Sequence, residues 1–265
     1  MKKYFLPLFM AVFLVSCAST TKGGMVGANR SQLLLVSEAE MNQSAAAAYV
    51  STLKEATQKH TLNTNPVVTK RVKKIANRLI AQVGTFRQDA LKWDWQVNVI
   101  KSNEINAWCM PGGKIAVYTG IIDKLKLTDD ELAAVMGHEI AHALREHSRE
   151  RASTGALTNI GVMAVGLATG SGDLANIAGL ATQYTITLPF SRSHEEEADI
   201  IGTELMARAG YNPNAVANVW VKMEKVVGSG TPAILSTHPS HESRRKNLQE
   251  IAKKVMPLYQ KSKKA

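Results

Sequence analysis

Chemistry in this chain begins with His138, Glu139 and His142, the pattern H-E-x-x-H. On a helix, positions i and i+4 lie one above the other, so both imidazoles can address a single metal ion. Zinc takes neutral nitrogen ligands in a tetrahedral array and, in a catalytic site, keeps one position for water. Glu139, next to the first histidine, is placed to take the proton from that water as it attacks a carbonyl. Glu146 is also i+4 from His142. Eight residues at about 1.5 Å rise, however, carry it about 12 Å along the axis from His138. The third protein ligand therefore has to come from elsewhere in the chain.

A second acidic stretch supplies the candidates: residues 191–213 read SRSHEEEADIIGTELMARAGYNP. Ser193 with Glu196 makes a capping box that starts a helix, and Gly210 followed by Asn212 and Pro213 ends it. Glu195 and Asp199 are i and i+4 and share a face. Glu195 can then be the third ligand, while Asp199 accepts the N–H of a ligating histidine and fixes its tautomer. Glu196 and Glu197 point elsewhere, although spacing alone does not exclude them.

The elements that must position these groups follow from patterning. Residues 128–151 (TDDELAAVMGHEIAHALREHSRER) predict one helix, opened by a Thr128/Glu131 capping box and closed by arginines. Two more helices are expected over 38–62 and 66–83, the second starting at Pro66 after Asn65 and stopping at Gly84. From Trp93 to Val99 the apolar period falls to two, which predicts a half-buried strand. Residues 105–122 (INAWCMPGGKIAVYTGII) then predict a hairpin about Pro111-Gly112-Gly113. Its exposed edge, beside a hydrolytic site, suits an extended peptide added as a further strand. Residues 152–188 are rich in small residues and read either as two closely packed helices or as a lid. No run there reaches the 18 apolar residues of a membrane span. The expected fold is α+β: a mostly helical domain with a small sheet or hairpin beside the H-E-x-x-H helix.

The amino terminus, MKKYFLPLFMAVFLVSC, reads as a secretory signal over residues 1–16. Leu14-Val15-Ser16-Cys17 resembles the bacterial lipobox, which makes Cys17 the lipidated first residue of the mature chain. Residues 17–37 are expected to tether the lipid to a domain over 38–265, and Ser19 favours the outer membrane over the inner. The formal net charge is +10, from 32 basic and 22 acidic residues. That surplus comes with no aromatic-interleaved basic stripe, so the expectation is a solvated surface near anionic headgroups and no nucleic-acid partner. Cys109 is expected to be a small buried hydrophobe; His60, His147 and His194 are expected at the surface.

H-E-I-A-H followed by S-R-S-H-E-E-E-A-D resembles the zinc metallopeptidases of the HtpX, BepA and CaaX prenyl-protease type, gluzincins whose second motif is S-R-x-x-E-x-x-A-D. The match falls on Ser191, Arg192, Glu195, Ala198 and Asp199, and implies Glu195 as the ligand. Asn106 and Ala107, with Pro111-Gly112-Gly113, are similar to that family's substrate-edge segment. His238-Pro239, with Arg244 following, matches a late His-Pro. The resemblance implies that His238 either stabilises the oxyanion of the tetrahedral intermediate or occupies zinc's open position in a latent state. It covers about residues 65–250 and is greatest to the bacterial lipoprotein members facing the periplasm. It implies one Zn²⁺ per chain, protein or peptide substrates drawn from misfolded envelope proteins, envelope partners, and a membrane reached through Cys17. A non-catalytic, zinc-binding, chaperone-like lipoprotein is the alternative.

Overall fold

The computed structural model describes residues 17–157, 183–226, 232–239 and 242–264. The expected signal segment (1–16), the middle of the small-residue stretch (158–182) and His241 lie outside the described residues. Strands β1 (Cys17–Ala18) and β2 (Gln32–Leu33) pair antiparallel at the amino end. The segment around them packs on the body. Lys22 N donates to Phe86 O, Met25 N to Glu204 Oε2, and Gln32 Nε2 to Arg145 O.

Helix α1 (Glu38–Gln58) opens on a Ser37/Glu40 capping box. Helix α2 (Pro66–Ile80) is capped by the Asn65 side chain with Pro66 at its start, as the sequence predicts. It ends before Gly84, because Val83–Thr85 tighten into a 3₁₀ turn. Strands β3 (Gln96–Ile100), β4 (Ala107–Met110) and β5 (Lys114–Tyr118) form a sheet of order β3-β5-β4, with β5 antiparallel to β4 and parallel to β3. Gly112 and Gly113 take φ of 73° and 80° in the β4–β5 turn. The end of the expected hairpin is helical instead, forming α3 (Thr119–Lys124).

Helix α4 (Asp129–Leu144) begins with the expected Thr128/Glu131 capping box. The expected single helix over 128–151 is nevertheless broken. Arg145 and Glu146 make a turn with Glu146 at φ 50°, and helix resumes over residues 147–157. The cause is tertiary. Glu146 is gripped by Arg87 at 2.5 Å and Arg149 at 2.6 Å, and the fully buried Arg145 is bonded to Glu197 at 2.6 Å. These charge-assisted bonds offset the strain of a left-handed glutamate.

Helix α5 (Arg192–Arg208) starts two residues earlier than expected: its cap is Ser191, whose box is completed by His194 rather than Glu196. Helices α6 (Ala215–Val226), α7 (Ala233–Thr237) and α8 (Glu242–Ser262) complete the described chain. No helix among the described residues is long and apolar enough to cross a membrane. The fold is α+β, helices dominating a small three-stranded sheet and the β1–β2 pair.

Helix α4 runs through the core, buried on nearly every side, and packs chiefly on α5. Their closest approach is backbone to backbone. A Cβ on Gly202 would lie 2.8 Å from His138 N, and one on Gly137 would lie 2.9 Å from Gly202 O. Neither neighbour is a flexible side chain, so the helices would have to separate. Gly202→Ala is expected to destabilise the chain by about 1–3 kcal/mol, read as a lower thermal midpoint, and to weaken zinc binding in the same protein.

Candidate metal centre

Helix α4 presents His138, Glu139 and His142 toward α5, which presents Glu195 and Asp199. His238, just past α7, reaches in from the third side. Side-chain donors of His138, His142, Glu195 and His238 all lie within 4.8 Å of one another. His138 Nε2 is 3.1 Å from His142 Nε2 and 3.2 Å from His238 Nδ1. Glu195 Oε1 is 3.4 Å from His142 Nε2 and 2.9 Å from His238 Nδ1. Zinc–ligand bonds of about 2.0–2.1 Å in a tetrahedron place neighbouring donors about 3.3–3.4 Å apart, so the spacing fits the ion. Four donors converging at this range suit a cation held between them. The buried Glu139 Oε1 supports the same reading, because it has no hydrogen-bond partner.

The remaining atoms of these groups are tied down from outside. His138 Nδ1 lies 3.0 Å from Asp199 Oδ1, the contact the i, i+4 spacing anticipated. Asp199 is in turn clamped by Arg244, Nε to Oδ2 and Nη2 to Oδ1, both at 2.8 Å. Arg244 Nη1 also sits 2.6 Å from Glu195 Oε2, as an ion pair without the alignment of a hydrogen bond. The guanidinium rests on the Trp220 ring, 3.8 Å from its centroid. Phe190 packs over His142 with ring centroids 4.1 Å apart.

The local field is negative where an ion would sit. Burial disfavours the charged form of His138, yet Glu195 and Asp199 outweigh it and raise the pKa from 6.5 to about 9. His142 is pushed well below its ordinary value, chiefly by burial. Burial also raises Glu139. It pushes Glu195 the same way, but His238 and His138 prevail and hold that carboxylate well below the usual range. An apolar recess of about 30 Å³ opens beside Glu139, lined by Val135, Val216, Val219, Trp220 and Met223 among others.

Asn106 and Ala107 stand at the start of β4, both buried. Asn106 O accepts from Tyr118 N and the Ala107 N–H is taken by Asn106 Oδ1, while Ile105 O accepts from Ile234 N in α7. Ser191 and Arg192 are exposed at the α5 start, and Glu196 is exposed, away from the cluster. Glu197 is buried against Arg145 and His147. The expectation that His147 and His194 lie at the surface is overturned: they are 0% and 6% exposed. The break at 145–146 turns His147 inward, and the earlier start of α5 makes His194 a capping residue. His60 is exposed, as expected. Cys109 is a buried free thiol, its pKa raised by burial.

Sequence reasoning gave Arg244 no task, and no local spacing flags it; only the tertiary fold brings it to two acids 45 and 49 positions away. Arg244→Leu would leave Asp199 and Glu195 buried without their cation. It is expected to cost about 3–5 kcal/mol in denaturant unfolding and to lower zinc content.

Residues 66–252 match the model of peptidase family M48. The chain is similar to the mitochondrial metalloendopeptidase OMA1 of Schizosaccharomyces pombe, 37% identical over 182 residues covering 68% of this chain and 51% of that protein. It is similar to OMA1 of Arabidopsis thaliana at 35% over 167 residues, 62% of this chain and 33% of the relative. The beta-barrel assembly-enhancing protease of Yersinia pestis is 29% identical over 206 residues, 73% of this chain and 40% of its own length. The chain thus spans about a third to a half of these relatives. The family is zinc-dependent, and the cluster of His138, His142 and Glu195 fits that ion. By the family match and the paired motifs, the chain belongs to peptidase family M48 and is a zinc metallopeptidase.

Proposed function

We propose that the chain is an endopeptidase of the bacterial cell envelope, anchored through a lipid on Cys17 at the outer membrane, which hydrolyses misfolded envelope proteins on the periplasmic side. The lipobox-like leader and the β-barrel assembly named in the bacterial relatives support the setting. The observation that carries the chemistry is the convergence of His138, His142 and Glu195 with Glu139 beside them.

In this reading His138, His142 and Glu195 hold the ion, and Asp199 fixes the His138 tautomer. Zinc bound there supplies Lewis acidity toward water and the scissile carbonyl. Glu139 takes the proton of the attacking water and hands it to the leaving amine; its burial-raised pKa suits both transfers. The substrate backbone pairs at Asn106 and Ala107, the start of the edge strand.

One observation favours a latent resting form. His238 Nδ1 completes the tetrahedron, at 3.2 Å from His138 Nε2 and 2.9 Å from Glu195 Oε1. The same segment bonds Ile105 O, next to the proposed substrate edge. The apolar recess beside Glu139 is itself lined by Ile234 and His238 of that segment. Substrate entry therefore requires residues 232–238 to move.

Glu139→Gln is expected to cut casein cleavage by about 10²–10⁴ with zinc content unchanged. His238→Ala is expected to raise cleavage if the residue plugs the fourth corner. A fall in kcat of about 10²–10³ would instead assign it to the oxyanion. Wild-type protein that is fully zinc-loaded and cleaves nothing under any condition would favour the chaperone-like alternative.

A further inference from the structure

His147 is completely buried, touches a histidine of the metal centre and takes no part in the reaction described above. Its Nδ1 lies 3.0 Å from His142 Nδ1, and its Nε2 lies 3.0 Å from Glu197 Oε2. Two facing Nδ1 atoms at that distance share one proton, so the sense of that hydrogen bond sets the tautomer of His142. Glu197 decides the sense. Arg145 at 2.6 Å and Arg30 at 3.0 Å hold its carboxylate, which therefore accepts and does not donate. His147 carries its proton on Nε2 toward Glu197 and offers the Nδ1 lone pair to His142. His142 then carries its proton on Nδ1 and turns a bare Nε2 toward His138 Nε2 and Glu195 Oε1, at 3.1 and 3.4 Å.

We propose that His147, oriented by Glu197, is a positioning residue that fixes the Nε2-ligating tautomer and ring angle of His142. The proposal rests on the reading of His142 as a ligand. It gives His142 the support that Asp199 gives His138, with an imidazole interposed before the carboxylate. Chemistry favours the interposed ring, because Glu139, Glu195 and Asp199 already crowd the centre with acid. His147 is itself held in plane by His194, stacked with centroids 4.5 Å apart. Arg30 lies in the segment behind Cys17, so the relay ties that segment to a metal ligand.

The test is a zinc titration against a chromophoric chelator, read beside the visible spectrum of the cobalt-loaded chain and the thermal midpoint of the metal-free chain. His147→Phe keeps a ring against His194 and removes both nitrogens. It is expected to bind zinc about 10–100-fold more weakly with an altered cobalt spectrum, its metal-free midpoint staying near wild type. His147→Gln offers an amide oxygen to His142 and an amide N–H to Glu197, and is expected to recover most of the affinity. Glu197→Gln is expected to lose about tenfold or more, and the double variant with His147→Phe to bind no worse than His147→Phe alone, since both act through one chain of hydrogen bonds. Wild-type affinity and spectrum in folded His147→Phe overturn the proposal, as do additive losses in the double variant. Should His147→Phe fail to fold, Glu197→Gln decides: a tenfold loss supports the proposal and unchanged affinity overturns it. His142→Leu separates the two levels. If it binds zinc as wild type does, the ligand reading fails; if it loses zinc while His147→Phe keeps it, the relay alone fails.

Discussion

The structure depends on how closely α4 and α5 approach where Gly137 meets Gly202. His138 directly follows one glycine, while Asp199 and Glu195 lie three and seven residues before the other, about one and two turns. Helices with ordinary side chains at the contact pack at axial distances of about 8–10 Å. Here a single Cβ at either position would already collide with backbone. The short reach of a histidine and a glutamate is enough to close a tetrahedron only because neither helix carries a side chain at the crossing. Small residues at these two positions are therefore part of the metal site, although neither has a donor atom.

Close approach creates a charge problem that the chain solves twice. Asp199, Glu195 and Glu139 are buried together, and a buried acid without a partner costs several kcal/mol. Arg244 answers on one side, bridging Asp199 and Glu195 from α8. Behind His142 a second cluster repeats the device, with Arg145 and Arg30 on Glu197 and Arg30 on Glu150. Buried pairs of this kind add little net stability, because desolvation consumes most of the Coulomb gain. What they provide is direction: each fixes which oxygen or nitrogen of its partner faces the centre. Glu195 shows this, since Arg244 engages Oε2 and leaves Oε1 toward His142 and His238.

The parts of this arrangement legible in the sequence are those written in local spacing. His138 and His142 share a face by helical period. Glu195 and Asp199 do so too, and Thr128 with Glu131, or Asn65 with Pro66, mark helix starts by their own hydrogen-bonding chemistry. The misreadings fall where tertiary contacts override that chemistry. Ser191 and Ser193 are equally good caps locally, and the structure uses the one whose third residue is a histidine. The break at Arg145 and Glu146 has no glycine or proline to announce it. It exists because Arg87, Arg149 and Glu197 reward a turn there, and two of the three, Arg87 and Glu197, come from distant parts of the chain. One unread turn accounts for His147 and hides the support of His142. The task of Arg244 escapes for the same reason, because both acids it clamps lie more than 40 positions away.

The short helix α7 shows how lightly such a centre can be shut. Among the described residues its backbone is held from outside by two hydrogen bonds, Ile234 N to Ile105 O at 3.2 Å and Phe190 N to Thr237 O at 2.8 Å. Bonds of that kind are worth about 0.5–1.5 kcal/mol each in net terms. The burial of Ile234 adds about 1.5–3 kcal/mol, and the imidazole of His238 adds its contact with Glu195. In the proposed reading, a substrate strand pairing at Asn106 and Ala107 would compete with α7 for the same edge. Because α7 bonds Ile105 and leads directly into His238 beside Glu195, one displacement would free both. Exchange of one segment for another at nearly equal free energy is the condition under which a closed centre responds to substrate rather than staying shut.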